Sequence, residues 1–60
     1  PEEGERKREL SDKIEEIRSL IKELRNPKGR FRDVSKERRT DRIYGLKSRI
    51  ELLQNELRGN

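Results

Sequence analysis

The sequence predicts an all-α protein: an antiparallel two-helix coiled-coil hairpin that assembles into a four-helix bundle. Three observations predict it. The first is a pair of apolar ladders, Leu10, Ile14, Ile17, Ile21, Leu24 and Ile43, Leu46, Ile50, Leu53, Leu57. Their steps alternate between three and four residues, the seam pattern of helices packed along their length. The second is that one ladder mirrors the other. Leu10 pairs with Leu57, Ile14 with Leu53, Ile17 with Ile50, Ile21 with Leu46 and Leu24 with Ile43, and the numbers of every couple add to 67. A chain reversing near residues 33 and 34 closes all five layers together. The third is Asn26-Pro27-Lys28-Gly29 between the ladders. Proline disfavours the helical conformation in the residue before it and has no N–H to donate.

The first helix is expected over about residues 5–25. It holds no proline or glycine and is rich in Glu, Lys, Arg, Leu and Ile, most of them good helix formers. Glu9 precedes Lys13 by four residues, the favourable order for an ion pair on a helix. Pro1 to Gly4 reads as a loose end, with Glu2, Glu3 and Glu5 suited to the positive end of a helix starting nearby. The bend covers 26–34, where Gly29 can take backbone angles that other residues avoid. The second helix is expected over about 35–58, with Ser35 as its cap, Glu37 in its first turn and Asp33 as a competing cap. Gly59 stands just past its end as a stop. The first two turns of this helix overhang the end of the first, and Phe31 or Val34 is expected to sit over Leu24 and Ile43 as a lid.

Composition bounds what such a molecule does. The chain has 60 residues, half of them charged and a quarter apolar. That is one small module with little to bury, a size at which a staple or a partner is usually needed. It has neither cysteine nor histidine, so it has no disulfide framework, thiolate metal site or imidazole base. Carboxylates four apart, such as Asp12 and Glu16, lie on a charged outer helix face with no concavity around them, which reads as solvated surface. No calcium-loop spacing or glycine-rich phosphate loop occurs. An enzyme is therefore not expected, nor is a cofactor. No apolar run approaches the roughly 20 residues of a membrane span, and no signal peptide is evident. An intracellular setting, cytoplasm or nucleus, is the expectation. A start at Pro1 rather than Met reads as a segment of a longer protein.

Self-association is expected because two helices leave the flanks of their seam wet. On one flank Arg18 faces Lys47, like against like. Either Glu15 and Glu51 neutralise them within their own helices, or acids from a second chain do so. On the other flank Lys13 faces Glu56, and Leu20 faces Arg49 and widens the apolar stripe. Tyr44, Gly45, Ser48 and Leu52 mark a further face of the second helix, where small residues allow close approach. Leu20 and this face are the candidate oligomer interface.

The net charge is +4, concentrated at the bend. Arg25, Lys28, Arg30, Arg32, Lys36, Arg38, Arg39 and Arg42 stand there against Asp33, Glu37 and Asp41. Such a cluster, with Phe31 among the arginines, suits phosphates and unpaired bases, RNA more than DNA, or an acidic protein surface. The functions expected are thus a protein–protein interaction and oligomerisation module, with nucleic-acid binding through the basic bend as the alternative.

Overall fold

A computed structural model describes the backbone of residues 2–59 and the side chains of residues 4–59. Pro1 and the side chains of Glu2 and Glu3, read above as part of a loose end, lie outside the described residues. Two helices pack against each other as a hairpin: α1, Glu2–Arg25, and α2, Lys36–Leu57.

Helix α1 begins three residues before the expected start at Glu5. Apolar periodicity reports a helix only where one face is buried, and no apolar residue precedes Leu10 after Pro1. The extra turn therefore left no trace in the ladder. At its other end α1 carries Lys22 and Arg25 in the last turn, where cations offset the unpaired carbonyls.

The bend is a chain of tight turns. Asn26 donates its N–H to the Glu23 carbonyl at 3.1 Å, Gly29 to Asn26 at 3.2 Å, Arg32 to Gly29 at 3.1 Å and Val34 to Phe31 at 3.0 Å. The Asn26 side-chain oxygen accepts the Lys28 N–H at 3.0 Å, the local bond that makes asparagine a turn residue. Gly29 does not use its freedom to take left-handed angles; the one glycine with positive φ is Gly59. Its lack of a side chain matters for space instead. A Cβ at Gly29 would meet the Asn26 side chain at 3.1–3.3 Å.

Ser35 is the N-cap of α2, its hydroxyl accepting the Arg38 N–H at 3.3 Å. At the far end Gly59, with φ 88°, donates to the Glu56 carbonyl at 3.0 Å. A glycine past the C-cap closing a bond to the last turn is the usual way an α-helix is stopped.

Leu10, Ile14 and Leu53 form a buried cluster, with Ile17, Ile50 and Leu57 packed on it half-buried. These are the first three of the five mirrored layers. Ile21 and Leu24 are also buried, while Ile43 and Leu46 opposite them are half-buried. Helix α1 thus covers its ladder better than α2, on which Leu53 alone is buried. The molecule measures 43 × 18 × 9 Å between Cα extremes, a slab one helix thick. Its radius of gyration is 13.8 Å, against about 10 Å for a compact 60-residue chain.

Candidate functional site

Three regions carry residues singled out by the sequence: one broad side of the slab, the outer edge of α2, and the bend. The broad side follows from heptad spacing. Arg18 and Arg25 are seven residues apart on α1, as are Thr40 and Lys47 on α2, so each pair stands on the same flank of the seam. Here the slab is grooved. A depression of about 430 Å³ is lined by Arg18, Ile21, Lys22, Arg25, Lys47 and Ile50. A second, of about 400 Å³, shares Arg25 and continues past Leu24, Pro27, Lys36, Arg39, Thr40 and Ile43. Both have an aliphatic floor and a cationic rim without a carboxylate.

The structure brings Arg18 and Lys47 to this one groove, as their facing positions require. Glu15 holds Arg18 at 3.7 Å, in an exposed pair. The matching pair of Glu51 with Lys47 is not formed. Among the described residues the ion pairs are Arg18–Glu15 and Arg30–Glu23, so Lys13, Lys22, Arg25 and Lys47 make none.

The outer edge of α2 lies opposite its seam. At 3.6 residues per turn, Glu37, Asp41, Tyr44, Gly45, Ser48, Glu51, Leu52 and Asn55 share a sector of about 120° that contains no cation. Tyr44 is 67% exposed and Leu52 63%, the two large apolar side chains left most open. A Cβ at Gly45 would meet nothing within 4 Å, so nothing inside the hairpin calls for a glycine there. Leu20 lies apart from this edge, on α1, and is half-buried.

The basic residues of the bend divide by what they touch. Arg39 reaches back from α2 and donates from Nη1 to the Leu24 carbonyl at 3.2 Å. It caps the C-terminal end of α1, and its Nε is buried without a partner. Arg30 pairs with Glu23 at 3.4 Å and lies over the Phe31 ring, 4.7 Å from its centre. Arg32 donates to the Gly29 carbonyl at 3.4 Å. Arg25, Lys28, Lys36, Arg38 and Arg42 are exposed. Phe31 and Val34 are each half-buried, and neither lines the groove beside Leu24 and Ile43, which Pro27 and Arg39 border instead. The sequence alone places Arg39 with the other cations of the basic bend. Its position four residues after the Ser35 cap and opposite the bend was the only signal of its capping role.

Among the described residues no group of three or more His, Cys, Asp or Glu is placed to hold a metal ion. No described helix is long and apolar enough to cross a membrane. No family model, curated protein or solved structure matches the chain.

Proposed function

We propose that this hairpin is an assembly module, whose copies cover each other's open seam and so hold together whatever they are attached to. The observation that supports this most is the thinness of the slab. With one helix thickness of 9 Å, Ile17, Ile43, Leu46, Ile50 and Leu57 stay half-buried although the two helices already pack on each other. The accessible surface is 5332 Å², against about 4,200 Å² for a compact monomer of 7.3 kDa. The excess is about 1,100 Å², and a standard interface takes roughly 800 Å² from each partner. A four-helix bundle of two hairpins is the simplest closed product.

Sedimentation equilibrium at micromolar concentration tests the proposal. A mass above 7.3 kDa that falls on dilution is the expected result, and a folded monomer at every concentration overturns it.

A second reading, RNA binding at the bend, is supported by the exposed Arg25, Lys28, Lys36, Arg38 and Arg42, which make no ion pair among the described residues. Fluorescence anisotropy with single-stranded RNA tests it. Affinity that falls steeply with salt supports phosphate contacts, and affinity indifferent to salt refutes them.

A further inference from the structure

Resting on the assembly reading, we propose that the copies join head to tail: the acidic outer edge of α2 in one copy lies in the cation-rimmed groove of the next. The two surfaces match in three respects. Each has an aliphatic or aromatic strip, Tyr44 and Leu52 on the edge, Ile21, Ile43 and Ile50 in the groove. Tyr44 and Leu52 are eight residues apart, about 12 Å along the helix, and Ile43 and Ile50 are seven apart, about 11 Å. The charges are opposite. Glu37, Asp41 and Glu51 flank the edge, while Lys22, Arg25, Lys36 and Lys47 rim the groove, and none of these seven makes an ion pair among the described residues.

Gly45 and Ser48 then have a role the hairpin alone does not give them. With no side-chain bulk at 45 and little at 48, the edge of α2 settles between the two helices of its neighbour. The same charges disfavour a closed bundle through the groove side. Two grooves face to face would set Arg25 and Lys47 of each copy against those of the other. Edge and groove stand on different faces of one molecule, so a contact between them is heterologous: two joined chains still leave one edge and one groove unused, and copies add until a ring closes or a filament continues. The assembly therefore grows with concentration rather than stopping at two chains.

Two variants of the full chain test this. One carries Tyr44→Gln and Leu52→Gln, removing the apolar strip of the edge without adding a charge that the other variant would attract. The other carries Arg25→Glu and Lys47→Glu, spoiling the groove. All four positions are exposed, and circular dichroism checks that helix content is kept. The parent chain is expected to grow past two copies, each variant alone to stay at 7.3 kDa, and their equimolar mixture to form a pair and stop. A parent mass that plateaus at two copies, or variants that assemble alone, overturns the head-to-tail contact while leaving self-assembly standing. A mixture that fails to pair while the parent assembles also overturns it. A monomeric parent overturns both readings, and if that monomer binds RNA through Arg25 and Lys47 the groove belongs to a polyanion. Should the glutamate variant lose helix, Arg25→Gln with Lys47→Gln replaces it. That variant is expected to weaken parent-like assembly about tenfold, and unchanged assembly counts against the proposal.

Discussion

Arg39 shows how one side chain joins two elements that the ladders alone leave unconnected at the bend. The last carbonyls of α1 have no intrahelical donor, and the guanidinium supplies one from across the hairpin. A hydrogen bond from a charged donor contributes about 1.5–3 kcal/mol, but Arg39 is only half-buried and its Nε is unsatisfied, so about 1 kcal/mol is the reasonable figure. Arg39→Met is expected to lose that amount in urea denaturation, while Arg38→Met at the exposed neighbour stays within about 0.5 kcal/mol. Equal stability of the two variants would remove the capping role. Ser35 makes a second residue-scale case. Ser35→Ala is expected to cost about 1 kcal/mol, and Ser35→Asp, which keeps an acceptor for the Arg38 N–H, close to nothing. Thermal melts of both variants check this, and a loss as large in the aspartate as in the alanine variant would mean the hydroxyl is not the cap.

At the scale of the elements, the two glycines within reach of mutation separate space from backbone angle. Gly45→Ala fills open space in the middle of α2 and is expected to stabilise the helix by about 1 kcal/mol. Gly29→Ala offers no such gain, because its Cβ crowds the Asn26 side chain that holds the bend. Urea titrations at low concentration, where chains are apart, compare the two. A destabilised Gly45→Ala would mean that the position is already filled within one chain. The helices themselves were legible in the ladders, and the α2 boundaries in Ser35 and Gly59, because buried faces and caps demand particular residue types. The early start of α1 was not legible, since no apolar residue marks it. Nor was the conformation at Gly29, since glycine's freedom permits a positive φ without requiring one.

For the whole molecule, the packing of Leu10, Ile14 and Ile17 with Ile50, Leu53 and Leu57 was legible in the ladders and the grooves were not. Register fixes which residues meet; groove shape depends on how far long side chains such as Arg18, Lys22 and Arg25 lean from the seam. Which cations are already engaged was partly legible. Glu15 precedes Arg18 by three residues while Glu51 follows Lys47 by four, the less favourable order, and of the two only Glu15 forms its pair. The proposed assembly ties the stability of the hairpin to chain concentration. The melting temperature is expected to rise steadily with chain concentration, and calorimetry showing no dependence would indicate a hairpin that stands alone.

All of this depends on α1 and α2 pairing within one chain. The most direct test places spin labels at Ser19 and Ser48, exposed positions off the seam whose numbers again add to 67, and dilutes the doubly labelled protein in unlabelled chains. The hairpin predicts a single separation near the 18 Å width of the slab, extended by the label arms and unchanged by dilution. A separation of about 43 Å, the length of one straight helix between these residues, or a short distance that vanishes on dilution, would contradict it.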